Sequence, residues 1–303
     1  VKRILVTGGT GFVGRALVRA LRARGDAVTV LSRDPVGARR ALGRGVRVAH
    51  WEPRRPGPWC DELGTAEAVV HLAGAPIARR WTARYRIELE ESRVTSTRLL
   101  VEAIGRARRK PAALVSASAT GFYGADRPDE VEEGSAPASD FLGGLCQRWE
   151  EAARGAEEHG LRTVLLRTGV VLGPSGGALA KMVGPGRAFV GGPIGRGDNW
   201  MSWVHLDDAV GMALWAIDDE GVRGAVNVTS PYYVTARDLA TTAASVLGRP
   251  RLGMPEAAAR IVFGDAVDVM VGSLRAEPRR AIEAGYEYHH ARIVPALAAA
   301  LAA

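Results

Sequence analysis

The sequence predicts an α/β protein: a doubly wound parallel sheet with a small, mostly helical C-terminal lobe. Three observations carry this. Short apolar runs rich in β-branched residues (RILVT, AVTVLS, AEAVVHL, AALVS, LRTVLLRTGVV) alternate with longer stretches whose apolar positions recur at helical spacing. Most of these runs are nearly continuous in apolar residues, as strands covered on both faces are. The first run passes directly into a glycine-rich turn and a helical pattern, the opening strand–turn–helix of such a sheet.

Residues 2–7 form the first strand and residues 12–24 the first helix, with Gly8, Gly11 and Gly14 at the turn between them. Free N–H groups and the positive end of the helix dipole converge there, so a pyrophosphate can sit without a side chain in the way. The spacing departs by one residue from the plain dinucleotide fingerprint, but its context is that of a Rossmann-type unit. Gly8, Thr10, Gly11, Phe12, Val13 and Gly14 are therefore candidate cofactor-binding residues. Residues 27–32 form the second strand, whose end selects the cofactor. An acid there accepts from the ribose 2′-OH of NAD, whereas an arginine neutralises the 2′-phosphate of NADP. Here Ser32 and Arg33 come first and Asp34 follows, which favours NADP(H).

Residues 45–49 and 66–72 supply the third and fourth strands. Leu72, then the small Ala73 and Gly74, let the backbone approach the adenosine side of the cofactor. A long helix is expected over residues 82–108, a fifth strand over 112–116 and a helix over 141–159. Residues 161–171 read as the sixth strand. Ser116, Gly169 and Val170 join the cofactor-binding candidates from the ends of the fifth and sixth strands. Beyond Gly173, glycine and proline cluster as far as Gly197, the pattern of a long surface excursion. Residues 200–205 read as a strand, Asp207 as the cap of a helix ending near Ile217, and residues 225–228 as a further strand. Helices follow over 235–247, 255–263 and 292–301. Residues 1–173 thus read as the NADP-binding domain and 174–303 as a substrate lobe, with 197–230 returning to the core fold.

Composition narrows the class. The net charge of +7 is carried almost entirely by arginine, with Lys2, Lys110 and Lys181 the lysines. The arginines are scattered as pairs and not gathered into a tract interleaved with aromatics, so nucleic acid is not the expected partner. No run reaches the ~18 apolar residues of a membrane span. Cys60 and Cys146 are too few and too far apart for a disulfide framework, and no metal-ligand spacing is present. The expected setting is reducing and cytoplasmic, with no leader segment.

Several stretches resemble the extended short-chain dehydrogenase/reductases. They are Thr7-Gly8-Gly9-Thr10-Gly11-Phe12-Val13-Gly14, His71-Leu72-Ala73-Gly74, Ser116-Ala117-Ser118 with Tyr123-Gly124, and Trp203-Val204-His205-Leu206-Asp207-Asp208. More narrowly, Arg80-Trp81, Ser92-Arg93-Val94-Thr95, Trp149-Glu150-Glu151-Ala152 and residues 166–174 resemble an epimerase-like subgroup. Its members are known as sugar-nucleotide epimerases and, in older usage, cell-division inhibitors. Gly176-Gly177-Ala178-Leu179 and residues 255–288 extend the likeness, with Tyr286-Glu287-Tyr288 in place of the subgroup's Phe-x-Phe. The resemblance spans essentially the whole chain. It implies an NADP(H)-binding fold and a small-molecule substrate held between sheet and C-terminal lobe. Relatives often form a homodimer through helices corresponding to residues 82–108 and 141–159.

The superfamily's Tyr-x-x-x-Lys pair is missing. In one register Phe141 and Leu145 occupy its positions, in another Leu142 and Cys146. The resemblance assigns Ser118 to the catalytic serine, allowing one inserted residue. Tyr123 is the neighbouring phenol, a replacement acid/base if its ring points into the cleft and a packing residue if it does not. Arg80, Trp81, Asn199 and His205 are the substrate-binding candidates; for each tryptophan and for His205 a purely local structural role is the alternative. Gly173-Pro174-Ser175-Gly176-Gly177 matches a nucleophile elbow, but that reading makes no use of the N-terminal glycine turn. Two function classes remain: an NADP(H)-dependent oxidoreductase or epimerase with an unconventional acid/base, and a non-catalytic NADP(H)-binding sensor.

Overall fold

Seven parallel strands form the central sheet of the computed structural model, which describes residues 1–174, 176–182 and 190–302. They are β1 (Arg3–Thr7), β2 (Ala27–Ser32), β3 (Arg47–His50), β4 (Ala68–His71), β5 (Ala113–Ala119), β6 (Arg162–Thr168) and β7 (Gly224–Val228). Their spatial order is β3-β2-β1-β4-β5-β6-β7, so the direction of winding reverses between β1 and β4. That reversal opens a crevice at the carboxyl ends of the strands, where ligands of such sheets bind. The helices that bear on the site are α1 (Phe12–Ala23), α2 (Ala83–Glu90), α3 (Ser96–Arg106), α4 (Phe141–Arg154), α5 (Leu206–Asp218), α6 (Ala236–Leu247) and α7 (Ile293–Ala302).

Both faces of the sheet are covered, which explains the continuous apolar runs. Ile4 and Val6 pack with Leu17, Val18 and Leu21 of α1 and with Met212, Ala213 and Ala216 of α5. Leu5, between them in sequence, faces the other layer, with Val69, Leu114, Leu165, Leu100, Ile104 and Ala153. The period of two along a strand sends alternate side chains into opposite cores.

The structure departs from the sequence expectations at several joints. The helix expected over 82–108 contains a wide π turn at Glu91–Thr95, between α2 and α3. The helix expected over 141–159 ends as α4 at Arg154 and continues as a 3₁₀ turn, Gly155–His159. The sixth strand divides at Gly169, where a Cβ would lie 2.6 Å from the Ser202 carbonyl oxygen. Beyond that point Val170–Leu172 leaves the main sheet and pairs with Trp203–His205. The strand expected over 200–205 likewise divides at Ser202, whose hydroxyl donates to Leu274 O and accepts from Ala276 N. Asp207 is not the cap of α5. His205 is, through Nδ1, which accepts from the Asp207 N–H, and Asp207 lies in the first turn.

The C-terminal half rejoins the core through β7 and α5. Arg162 of β6 is buried and donates to the carbonyls of Ala216, Val222 and Ile217 at 2.8, 2.8 and 3.2 Å. Its charge therefore meets the negative end of the α5 dipole. A separate cluster joins Leu172 and Trp203 to Leu239 and Ala243 of α6 and to Leu297 and Leu301 of α7. Thr235 caps α6 in a reciprocal capping box with Asp238. Among the described residues no helix is long and apolar enough to cross a membrane.

Candidate functional site at the carboxyl ends of the strands

The glycine turn is shaped by its neighbours. Gly8 has φ +70°, and a Cβ there would lie 2.7 Å from the Leu72 carbonyl carbon; one on Gly14 would lie 2.2 Å from Gly8 O. These two glycines let α1 and the β4 loop close on the end of β1. Gly11 is exposed and meets only Gly8 O, at 3.2 Å. It caps α1 without a side chain, and the first turn of α1 contains no acid, so the positive end of the helix is uncovered. Thr10, Phe12 and Val13 are partly buried around it. A Cβ on Gly176 or Gly177 would lie 2.3 or 2.7 Å from the Phe12 ring, which explains the glycines of the elbow-like motif; its Ser175 lies outside the described residues.

The end of β2 sorts its polar groups. Asp34 Oδ1 accepts from Gly37 N at 2.9 Å and caps the helix Pro35–Leu42. The Ser32 hydroxyl bonds to the backbone of Asp34. Arg33 is exposed and makes no hydrogen bond or ion pair among the described residues. The acid that would read a ribose 2′-OH is therefore occupied, while the cation that would read a 2′-phosphate is free. These residues fit NADP(H).

Register aligns two polar rows across the sheet. In the first, Thr7 lies beside His71 and His71 beside Ser116. All three are fully buried. His71 Nδ1 lies 2.7 Å from Thr7 Oγ1 and Nε2 lies 3.0 Å from Thr97 Oγ1. Thr97 Oγ1 donates to Arg93 O and accepts from Trp149 Nε1–H. The hydrogen of the His71 ring therefore sits on Nε2, and Nδ1 accepts from Thr7. Burial lowers the His71 pKa to about 4, so the ring is a neutral pin between β1, β4 and α3. Ser116 bonds only weakly to the adjacent Ala117 O and presents no surface to the cleft. Gly169 and Val170 are held by Val228 O and Ser202 O, and Gly74 lies against the guanidinium of Arg93.

The second row runs Ser118, Arg167, Asn227 across β5, β6 and β7. Ser118 is 4% exposed, and its hydroxyl donates to Glu150 Oε1 at 2.7 Å. Arg167 forks onto both oxygens of the same carboxylate, at 2.7 and 2.8 Å. Its guanidinium also stacks 3.4 Å from the centroid of the Phe122 ring and donates to Tyr123 Oη at 3.0 Å.

Tyr123 does not face the cleft. Its ring is 1% exposed, its hydroxyl donates to Asn227 Oδ1 at 2.7 Å, and burial raises its pKa despite Arg167. A phenol that must give up a proton needs the opposite shift, so the expectation of Tyr123 as replacement base is corrected. Cys146 is no substitute, because burial pushes its thiol up to about 12.

The four substrate candidates are dispersed. Trp81 is buried, donates to Ile77 O, packs on Phe141 and bridges to Gly264; Arg80 beside it is exposed. Asn199 Nδ2 donates to Gly272 O at 3.1 Å. Trp81 and Asn199 thus anchor the C-terminal segment that includes Gly264 and Gly272. His205 is buried, its ring 3.9 Å from that of His290 between centroids, and its Nε2 has no hydrogen-bond partner among the described residues. Burial and the neighbouring His290 lower its pKa. Although the sequence shows no metal-ligand spacing, the fold brings one ligand-type atom each from His205, Asp207 and His290 within 4.8 Å of one another.

Glu150, Arg167, Asn227 and Arg93 complete this end of the molecule; the first two and Arg93 lie in stretches that carry the resemblance, but the sequence assigned a role to none of the four. One signal was available. LRTVLLRT is a buried-strand pattern carrying two arginines, and a guanidinium in a strand interior requires a partner.

Residues 4–229 match the NAD dependent epimerase/dehydratase family, and residues 254–300 match a domain of unknown function, DUF1731. The chain is 36% identical to the chloroplastic SDR39U1 homolog of the epimerase family in Arabidopsis thaliana, over 98% of this chain and 86% of that protein. It is 35% identical to epimerase family protein YfhF of Bacillus subtilis, over 99% and 98% of the two chains. Among solved structures, human epimerase family protein SDR39U1 (isoform 2), crystallised with NADPH, superposes with a TM-score of 0.86 at 35% identity, covering 98% of each chain. A nucleoside-diphosphate sugar epimerase from Corynebacterium glutamicum gives 0.80 at 29% identity, over 99% of this chain and 58% of that one.

Proposed function

This chain belongs to the NAD dependent epimerase/dehydratase family, and on that premise we propose that it is an NADP(H)-dependent oxidoreductase or epimerase-like enzyme. Its substrate is a sugar-nucleotide-like molecule or a small carbonyl or hydroxyl compound. The observation that carries the cofactor assignment is the uncovered positive end of α1 together with a free Arg33 and an occupied Asp34. The human relative crystallised with NADPH supports it.

Gly8, Thr10, Gly11, Phe12, Val13 and Gly14 hold the pyrophosphate, with Ser32 and Arg33 at the 2′-phosphate. Leu72, Ala73, Gly74, Gly169 and Val170 supply backbone surface, and Ser116 contributes only the buried end of β5 beneath it. NADP(H), when bound, supplies the hydride chemistry. Arg167 forks onto Glu150, and Glu150 in turn accepts from Ser118 and fixes its hydrogen toward itself. The remaining lone pairs of Ser118 Oγ can then accept a hydrogen bond from a substrate hydroxyl and position it for reaction. On the substrate side we place Arg80 and His205, whose unpartnered Nε2 is suited to a ligand oxygen. Trp81 and Asn199 act by holding the C-terminal segment around them.

The inward commitment of the Ser118 hydroxyl and the closure of Tyr123 favour one other reading, a non-catalytic NADP(H)-binding sensor. Titration with NADPH and NADH tests the common premise. Wild type should prefer NADPH, and Arg33→Ala should weaken NADPH by about 10- to 100-fold while leaving NADH unchanged, as loss of a charged hydrogen bond implies. Absence of NADPH binding would sink both readings. Turnover of bound NADPH with nucleotide sugars or small carbonyls selects the enzyme; tight binding without turnover across the panel selects the sensor.

A further inference from the structure

We propose that this protein carries a site for a zinc-type divalent ion where α5 meets the C-terminal segment, with His205 Nδ1, Asp207 Oδ2 and His290 Nε2 as the protein ligands. The site stands apart from the cofactor assignment and does not depend on it. The fold assembles the three residues from distant stretches. His205 ends the strand Trp203–His205 and caps α5, Asp207 lies in the first turn of that helix, and His290 arrives from the segment before α7. A second acid seats that segment. Asp208 is fully buried, and its two oxygens accept from the backbone N–H groups of His289 and His290 at 2.7 and 2.9 Å. Asp208 is thereby spent on the backbone and fixes where the His290 ring emerges, which leaves Asp207 as the carboxylate beside the two rings.

Distances decide the kind of ion. Asp207 Oδ2 lies 3.5 Å from His205 Nδ1 and 3.4 Å from His290 Nε2, and ligand-type atoms of all three residues lie within 4.8 Å of one another. The first two separations exceed the roughly 2.7–3.2 Å of ordinary N–H···O bonds, so carboxylate and rings are spaced apart and not bonded directly. Ligands at the ~2.0–2.1 Å of zinc–nitrogen and zinc–oxygen bonds stand about 3.3–3.4 Å apart along a tetrahedral edge. Neighbouring ligands of an octahedral ion at similar bond lengths stand only about 3.0 Å apart. The two separations match the tetrahedron. Two imidazoles and a carboxylate also form a donor set suited to zinc, whereas magnesium and calcium take oxygen.

Tautomer and charge fit as well. His205 Nδ1 accepts from the Asp207 N–H at 3.2 Å, so its lone pair already points toward the first turn of α5 and the ring hydrogen sits on Nε2. Binding a metal at Nδ1 exchanges one long backbone bond for a coordinate bond and leaves Nε2–H available to a ligand oxygen. Asp207 has no arginine or lysine partner among the described residues. With Asp208 it places two acids in the first turn of α5, which offset the positive end of a helix dipole that would otherwise repel a cation. The side chain of His205 is 3% exposed, but those of His290 and Asp207 are 21% and 63% exposed. The fourth position therefore opens to solvent and takes a water molecule.

Titration of the full chain, stripped with EDTA and dialysed, tests the site, with Zn²⁺ measured against a chromophoric chelator and Co²⁺ used for spectroscopy. Wild type should bind one Zn²⁺ per chain, its Co²⁺ form should show the intense visible bands of a four-coordinate ion, and excess Mg²⁺ should not compete. His290→Ala and Asp207→Asn should each weaken Zn²⁺ by more than the about 10- to 100-fold that partners outside the ligand set are worth. His289→Ala removes the exposed neighbouring imidazole, keeps the backbone bond to Asp208, and should bind as wild type does. Zn²⁺ should raise the melting temperature of wild type and His289→Ala but not of the ligand variants. Melting in EDTA reports whether each variant is folded; if His290→Ala is not, Asp207→Asn, altered at an exposed side chain, carries the comparison. No binding by wild type, ligand variants within twofold of it, or the weak spectrum of six-coordinate Co²⁺ would each overturn the proposal. An equal loss in His289→Ala would do so too, as the mark of adventitious capture by surface histidines.

Discussion

The turn after β1 and the corner where β5, β6 and β7 end lie along one edge of the sheet and are built in opposite ways. At the turn, hydrogen-bonding capacity is left open: Gly11 offers no cap, α1 has no acid in its first turn, and Arg33 has no partner among the described residues. At the corner it is closed. Ser118, Glu150, Arg167, Tyr123 and Asn227 bond to one another, and all are at most 4% exposed. Buried polar groups demand partners, and where a protein supplies them from its own chain it builds structure. Where it withholds them near a surface it leaves room for a ligand. The residue types at the two places are similar; the difference lies in which of them are already satisfied.

The largest effect that tests this contrast is at the corner itself. Glu150→Gln leaves Arg167 as an uncompensated buried cation and should lower unfolding free energy in urea by roughly 3–5 kcal/mol. The double variant Glu150→Gln/Arg167→Met, which removes both charges, should recover much of that loss. A single-variant cost below about 1 kcal/mol would mean that water or another group reaches the pair, and the corner would not be closed.

A somewhat smaller effect concerns the first polar row. His71 has a folded pKa of about 4, below its unfolded value near 6.5. The unfolded chain therefore takes up the proton first. The contribution is fully present above pH 6.5 and is lost as pH falls toward 4, by about 3 kcal/mol in all. His71→Gln, which keeps a donor and an acceptor on the side chain, should flatten that part of the stability–pH curve. An unchanged slope would place the acid sensitivity elsewhere.

The smallest effect discriminates most sharply between structure and catalysis. Tyr123→Phe removes a donor to Asn227 and an acceptor for Arg167 and should cost about 1–3 kcal/mol of stability. Any turnover by the folded variant should keep its rate and pH profile. Loss of turnover with stability intact would restore the phenol to a catalytic role and break the contrast.

Much of the architecture was legible because it is local. Each of the seven sheet strands was read to within a few residues of its observed ends. Gly8 and Gly14 were singled out, and both are required by close backbone approach. The joints were harder. The break at Gly169 follows from the Ser202 carbonyl, which comes from a different part of the chain. The capping of α5 by His205 was missed because Asp207, the commoner cap type, stands two residues on. The π turn has no periodic signature in Glu91–Thr95, whose residues suit an ordinary helix equally well.

By itself the sequence determined the element types, the parallel sheet and the position of the glycine turn, because strand and helix periods and glycine's tolerance of φ > 0 act over a few residues. Only the tertiary structure decided which polar groups are spoken for. Ser118, Arg167 and Asn227 become neighbours through the registers of β5 on β6 and of β6 on β7, and Glu150 reaches them from α4. Whether Tyr123 is a base or a buried strut, and whether Arg33 is paired or free, depends on what lies within about 3 Å in space. Residues far apart along the chain supply or withhold those partners, and no local pattern records which.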